Sequence, residues 1–540
     1  MSFYNCTYLI HNIKLPLAED DAYAYDVVKK KLNKLGISTK NARYFIYRRS
    51  VDARKKSDVH FVVSVGVRGL QTEISSSVCA KEGIVLLNED CFTPVFGKLK
   101  LSSRPIVVGS GPTGLFCALL LSEYGYRPIV IERGGNVAER TLAVKKFNQS
   151  QVLNLSNNIQ FGAGGAGTFS DGKLVTRIND PLSSYVFSRF VEFGAPDEIL
   201  TLAKPHIGTD ILSLIVDKML NRIQKLGGEV FYHTEFLSFR TLGNRVVSIH
   251  TSNGDFSTDA LILATGHSAR ETYRSLQISG VQLQPKACSV GMRIEHLATD
   301  IDKALYGDFA SHPKLAHAEY NLSTNTKVRG VYTFCMCPGG EVVAATSEEG
   351  HVVVNGMSHH ARNGKNSNSA VVCSIFSDDY GNSIEGALEF IENIERRAFI
   401  AGGSTYAVPL TTVGDFLDNK NAVTEPQRVL PTYMESGYYK LASPESYLPR
   451  FVTDEIRAGL LAFDKKIEGF AVRDAVLSGA ETRTSSPIRI LRDSNTRLAL
   501  GYENIYPAGE GAGYAGGITS AAIDGVRCAL EIMSKYAPFL

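Results

Sequence analysis

The chain has 540 residues, 44% hydrophobic and 21% charged, with 48 Gly and 19 Pro. This is the composition of a globular protein of two to four domains and excludes a small binding module, a collagenous chain or a disordered one. Lys and Arg total 57 against 55 Asp and Glu, a net charge of +2, so nothing global draws the chain to nucleic acid or an acidic membrane.

The first residues show no basic start followed by a long apolar run, so no signal peptide is expected. Apolar runs such as CALLL and ALILA are too short to span a bilayer. Nine cysteines are spread along the chain, and only Cys335 and Cys337 lie close together. That pattern reads as reduced thiols in a cytoplasmic protein rather than a disulfide framework.

Residues 1–97 predict a small α+β module in the order β-α-β-β: an apolar strand at 8–13, a helix over 21–35, then strands at 44–47 and 60–67. Within it Arg43, Arg48, Arg49, Arg54, Lys55 and Lys56 stand against Asp52 and Asp58 only. One reading is a solvated loop between two strands; the other is a docking patch for an anionic partner, RNA included.

A polar, basic connector over 99–104 leads into Ile106, Val107, Val108, Gly109, Ser110, Gly111, Pro112, Thr113 and Gly114. An apolar helix and a second strand ending at Glu132 follow, which together make a βαβ unit. Gly109 allows the tight turn, Gly111 lets a pyrophosphate approach the backbone, and Gly114 lets helix and strand pack closely. The helix N-terminus offers free N–H groups and a positive dipole end to the phosphates. Glu132 lies 18 positions beyond Gly114, where a carboxylate accepts from both ribose hydroxyls, with Arg133 beside it.

This unit does not separate FAD from NAD, and the far end of the chain decides. Residues 499–529 predict a strand, a glycine-rich turn and an amphipathic helix opening near Gly517. Gly509 and Glu510 are placed to meet the ribitol, and the amides near Gly516, Gly517 and Ile518 to face a flavin. Residues 229–236, ending at Phe236, and 246–249 predict an adenine-side strand and a hairpin, and 260–263 a buried strand ending in Ala264, Thr265 and Gly266. The run from Phe161 to Leu174 has too many glycines for a helix or strand and predicts a close-approach loop. Gly165, Ser170, Asp171 and Gly172 are its expected cofactor contacts, with Lys173 near the ring.

The segments FGAGGAGTFSDGKL, KPHIGTD, TFCMCPGGEVVAA, ETRTSSPIRI and YPAGEGAGYAGGITSAAIDG together resemble a widespread bacterial family of uncharacterised FAD-dependent dehydrogenases. The resemblance runs over nearly the whole chain and implies FAD and a redox fold, without a substrate. Two positions depart from the pattern: Ala163 stands where an acidic residue is expected, and Ala264-Thr-Gly replaces a Pro-Gly pairing.

Residues 284–484 contain no second G-x-G-x-x-G after a strand, so a substrate cap inserted into the FAD domain is expected, and any NAD(P)H acts transiently from its face. The histidines over 351–360 lack thiolates or carboxylates at ligand spacing, so no metal site is expected. Cys335 and Cys337 read either as packing thiols or as a redox pair. Arg293 and Arg483 are the candidates to hold an anionic or carbonyl substrate, the competing reading being local pairs with Glu295 and Glu481. His206 is a candidate general base.

The fold class expected is therefore α/β: a Rossmann-like FAD-binding domain (98–283 and 485–540), an inserted α+β cap (284–484) and the N-terminal α+β module. The function expected is hydride exchange between a small organic substrate and flavin N5. An RNA-associated flavoprotein and an NAD(P)H-driven reductase are the alternatives, and no membrane partner is expected.

Overall fold

The computed structural model describes residues 7–87, 92–176, 180–326, 328–420, 423–435 and 437–539, so Cys6 and Cys91 lie outside the described residues. The chain divides into two compact units. The first comprises Met1–Thr93, Asn179–His206 and Asp302–Ala318, the last two being segments that the order of motifs does not attach to the N-terminal module.

Its sheet is built from β1 (Thr7–Pro16), β2 (Arg43–Asp52), β3 (His60–Arg68) and β4 (Ile84–Leu87), paired antiparallel in the order β2-β3-β1-β4. Helix α1 (Asp21–Lys34) begins at Asp20, whose side chain accepts from the Ala22 amide, and it buries Ala24, Val28 and Leu32 at four-residue spacing. Phe61, Val63, Val65 and Val67 of β3 are buried at period two, the alternation that gives a sheet one apolar face.

The basic run is half strand and half loop: Arg43, Arg48 and Arg49 belong to edge strand β2, and Arg54, Lys55 and Lys56 to the connection between β2 and β3. The Arg49 amide donates to Thr201, and Ala203 donates back to the Arg49 carbonyl. Arg49 pairs with Asp21, Arg54 with Asp52, and Lys14 with Asp58 at 2.7 Å. Arg49 thus gains a carboxylate from outside the run, while Asp58 is taken by a lysine from outside it.

The second unit, Pro94–Ile178, Ile207–Ile301 and Glu319–Leu540, opens on β5 (Ile106–Val108), helix α2 (Pro112–Glu123), β6 (Ile129–Ile131), β7 (Glu229–Phe231) and β8 (Leu261–Leu263). A long antiparallel sheet follows, with β9 (Cys288–Leu297), β10 (Gly330–Cys337), β11 (Asn366–Ile375) and β12 (Val476–Glu481) at its centre in the order β10-β11-β9-β12. The chain then returns as β13 (Ile505–Pro507) and helix α3 (Ile518–Lys535).

β13 completes a parallel sheet of order β13-β8-β5-β6-β7, so a strand near the C-terminus pairs with one that follows the first glycine turn. Every residue of β5, β6, β8 and β13 is buried, as strands covered on both faces require. Helix α2 packs on its own turn and on β5 through Gly114, and α3 packs on α2 through Gly525. A Cβ on Gly114 would stand 1.9 Å from the Gly109 carbonyl oxygen, and one on Gly525 2.0 Å from that of Thr113.

Among the described residues no helix is long and apolar enough to cross a membrane. The α2–α3 contact yields a stability prediction. Gly525→Ala should lower the unfolding free energy by about 1–3 kcal/mol, the usual cost of overpacking, read as a lower denaturant midpoint; an unchanged midpoint would contradict the close approach.

Candidate active site

A cavity of ≈ 350 Å³ opens where the parallel sheet meets its glycine turns. Helix α2 starts at Gly111 and α3 at Gly517, and neither has a side-chain cap, so the free N–H groups of two helix N-termini belong to one cavity wall. A Cβ on Gly111 would meet only the Gly165 Cα, at 3.8 Å, and one on Gly516 or Gly517 would meet nothing within 4 Å. No packing demands glycine at 516 and 517, whereas a ligand lying against the backbone does. The cradle thus has the space and the donors for a dinucleotide diphosphate.

The glycine-rich loop also lines the cavity, close against Gly111 and Ile518 at the two helix N-termini, and a cation missed in the sequence holds it. Arg140, fully buried, donates to the carbonyls of Asn158, Ile159, Gly162, Ala163 and Gly165 at 2.7–3.3 Å and lies over the Phe169 ring. Burial lowers its pKa to about 10 while Glu132 works the other way. Ala163 is buried at this point, so its side chain leaves the guanidinium to the backbone.

Glu132 completes the lattice and lines the cavity as well. One carboxylate oxygen accepts from the Gly134 and Gly162 amides at 3.0 Å, the other from the Ser110 amide at 3.1 Å and the Ser110 hydroxyl at 2.5 Å. Four donors fill a carboxylate's lone pairs, so Glu132 first ties three loops together. A ribose hydroxyl gains it only by displacing the Ser110 hydroxyl.

The cavity brings together nearly all the expected cofactor residues: Gly109, Ser110, Gly111, Pro112, Thr113, Glu132, Arg133, Gly165, Ser170, Asp171, Gly172, Phe236, Ala264, Thr265, Gly266, Glu510, Gly516, Gly517 and Ile518. Gly114 and Gly509 stand behind it as packing glycines, the second against the Thr113 side chain. Arg133 lies over the Phe161 ring at 4.2 Å and pairs with Glu235 and Glu271. Asp171 is engaged by Arg362 and the Ser358 hydroxyl. Burial opposes its charge, yet Arg362 and then Lys173 hold its carboxyl below the usual range. Its role is therefore to fix the loop.

His267 is a second residue the sequence did not single out, although it directly follows the Ala264-Thr-Gly turn at the strand end. Its Nδ1 lies 3.1 Å from a Glu510 oxygen, while its Nε2 is buried without a partner.

The four expected catalytic residues separate. Lys173 and Arg483 line the cavity; His206 and Arg293 do not. His206 is buried and closes the middle segment, Asn179–His206, of the first unit. Arg293 is consumed internally: Nε and Nη2 grip Glu481 at 2.9 Å, and Nη1 takes Asn368 and the Cys335 carbonyl. Glu295, its expected neighbour, instead accepts from Thr432 and Asn366.

Arg483 pairs with Glu395, not Glu481, through Nε at 2.9 Å and Nη2 at 3.2 Å, and its Nη1 is buried and unpartnered. Arg270 shares that carboxylate at 2.7 Å. Burial raises the Glu395 pKa, but Arg270 and Arg483 outweigh it and bring it to about 2. Glu348, His351 and Glu395 offer ligand atoms within 4.8 Å of one another. Arg270 already takes both carboxylates, which sets positive charge where a metal cation would sit.

The loop lattice is testable through Arg140→Met, which keeps the bulk and removes the donors. Unsatisfied buried acceptors cost about 1–3 kcal/mol each, so the variant should lose several kcal/mol in denaturant titration and most of its flavin. Wild-type values for both would show that the loop holds itself.

Residues 103–145 match a family described as FAD binding domain, 287–484 one described as FAD-dependent protein, C-terminal domain-like, and 8–68 a domain of unknown function. A protein of Clostridium beijerinckii described as uncharacterized is 41% identical over 543 residues, covering 98% of this chain and 98% of that protein. Among solved structures, the chain is similar to glycine oxidase from Geobacillus kaustophilus at 11% identity and a TM-score of 0.34, over 81% of this chain and 96% of that one. It is also similar to L-proline dehydrogenase from P. horikoshii at 12% identity and a TM-score of 0.31, over 80% and 94%. With the uncapped helix ends and open glycines fitting FAD as its cofactor, the chain belongs to the family of FAD-dependent proteins that join an FAD-binding domain to this C-terminal domain.

Proposed function

We propose that the protein is an FAD-dependent dehydrogenase that exchanges a hydride between flavin N5 and a small organic substrate bearing a carboxylate or a similar anionic group. FAD, when bound, supplies the two-electron chemistry; the protein supplies position and charge. The observation that carries this reading is Arg483. Glu395 fixes its guanidinium from one side, while Nη1 remains a buried donor with no partner on a residue of the cavity wall.

A desolvated guanidinium with an unused donor favours an anion strongly, because leaving that donor unpaired is costly. Fixing the substrate there removes the entropic cost of finding the reactive orientation. Lys173, which also lines the cavity and lies 3.9 Å from Glu319, is a second cation of the lining. His267, held through Nδ1 by Glu510, presents Nε2 as a site for a proton lost or gained by the substrate.

Anaerobic bleaching of the flavin by a panel of small carboxylates tests this reading. One of them should reduce the wild type rapidly, and Arg483→Lys, which keeps the charge and loses the fork, should weaken its apparent affinity by about 10- to 100-fold, the range of one charge-assisted hydrogen bond. Flavin content should be unchanged. Rapid, tight reduction by NADH or NADPH, undiminished in the variant, would overturn the reading and make the protein a nicotinamide-driven reductase.

A further inference from the structure

Strand β10 pairs with β11 in regular antiparallel register from Val331 opposite Cys373 to Phe334 opposite Ala370, and then Cys337 stands opposite Asn368. Three steps on one strand against two on the other make a β-bulge at Cys335 and Met336. Cys335 has φ +45°, a left-handed conformation that costs a non-glycine residue energy and recurs at functional sites. In a regular strand residues two apart lie about 6.6 Å apart with side chains parallel, near the upper limit for a disulfide. The bulge folds Cys337 back on Cys335: the Cys337 thiol donates to the Cys335 carbonyl at 3.3 Å, and each thiol shifts the ionisation of the other.

The two sulfurs are not equivalent. Cys335 is half-buried and lines the cavity beside Phe334 and Asn355, whereas Cys337 is fully buried and does not line it. Arg293, fixed by Glu481, donates to the Cys335 carbonyl at 3.1 Å. The Cys337 hydrogen bond, then Arg293 and Lys173, outweigh burial and the opposing Glu481 and bring the Cys335 thiol to about 7. Cys337 is pushed up, first by its bond to Cys335, then by burial, the charge on Cys335 and Asp171, with Arg293 working the other way. Burial pushes Cys117, Cys288, Cys373 and Cys528 up as well.

We propose that Cys335 and Cys337 are a dithiol redox pair that reduces small organic disulfides entering the cavity, with Cys335 as the attacking thiolate and Cys337 as the resolving thiol. The Cys335 thiolate attacks one sulfur of R–S–S–R; a Cys335–S–S–R bond forms, the R–S–S–R bond breaks, and RS⁻ leaves with a proton from solvent. That reaction discharges Cys335 and so removes the neighbouring negative charge that kept Cys337 protonated. Cys337 then gives up its proton and attacks the Cys335 sulfur, forming the Cys335–Cys337 bond and releasing the second RS⁻, which takes up that proton. The organic disulfide is reduced to two thiols and the protein dithiol is oxidised, so the electrons balance without another reactant. This pair is independent of the substrate carboxylate assigned to Arg483.

Dithiodipyridine, which releases a coloured thiopyridone at each exchange, tests the pair on the FAD-loaded full chain with Cys6, Cys79 and Cys91 replaced by serine. Two equivalents should be released rapidly, and the rate should fall as pH drops through about 7, because the thiolate is lost below that value. Cys335→Ser should abolish the rapid release. Cys337→Ser should release one equivalent and retain a pyridylthio adduct on Cys335, visible by mass spectrometry. A rapid phase that survives Cys335→Ser, or release that stops at one equivalent in the parent protein, overturns the proposal. Should the serine at 335 prevent folding, iodoacetamide mapping of the parent protein replaces it: Cys335 should be alkylated first, and first modification of any other cysteine overturns the assignment.

Discussion

One buried guanidinium sets the shape of the cavity. The loop from Phe161 to Gly172 is held at its far end through the Asp171 side chain, but its glycine stretch over 162–167 has no polar side chain with which to fix itself. Arg140 resolves this by donating to five backbone carbonyls from inside the loop, where a buried charge without such partners would cost several kcal/mol. Glu132 does the converse from the other side, accepting from amides of three separate loops. Gly162 joins the two, its amide on Glu132 and its carbonyl on Arg140.

With that wall fixed, the rest of the site follows from helix ends. The N-termini of α2 and α3 lack side-chain caps, and their unpaired donors are a stabilising feature only if something negative or hydrogen-bonding lies against them. The same logic extends to the antiparallel sheet, where paired charges anchor the residues at the cavity. Glu395 is held by two arginines so that one of them keeps a donor free, and Glu481 holds Arg293 under the bulge that carries Cys335. In each case a buried ion pair fixes a neighbouring group rather than serving as the reactive one.

The phosphate turn was legible in the sequence because two of its glycines answer distinct steric demands within a few residues, a positive φ at Gly109 and a 1.9 Å approach at Gly114, while Gly111 leaves open space. The return of the chain in β13 was legible for the same reason, from the glycines before α3. The arginine partners were not. Arg293 meets Glu481 188 positions away, because β9 and β12 run antiparallel in adjacent register, and Arg483 meets Glu395 88 positions away. A single sequence offers only local carboxylates, and Glu295 and Glu481 are both engaged elsewhere. Arg140 did leave a trace. With Val144 and Phe147 it falls at i, i+4 and i+7 on the buried stripe of its helix, where a charged residue signals a buried acceptor set. The surroundings of Arg49 in the basic run were not legible, because its counter-charge is Asp21 and its backbone partners are Thr201 and Ala203.

The account rests on the glycine cradle being a dinucleotide site, and FAD binding to Gly111→Trp tests that most directly. The position has room for a side chain in the protein alone, since the nearest atom to a Cβ there is 3.8 Å away, so the fold should survive while the indole fills the space a diphosphate needs. Wild-type protein should hold one noncovalent FAD per chain, and the folded variant should hold none by absorbance and fluorescence titration. A folded Gly111→Trp protein with wild-type flavin content and affinity would contradict the account.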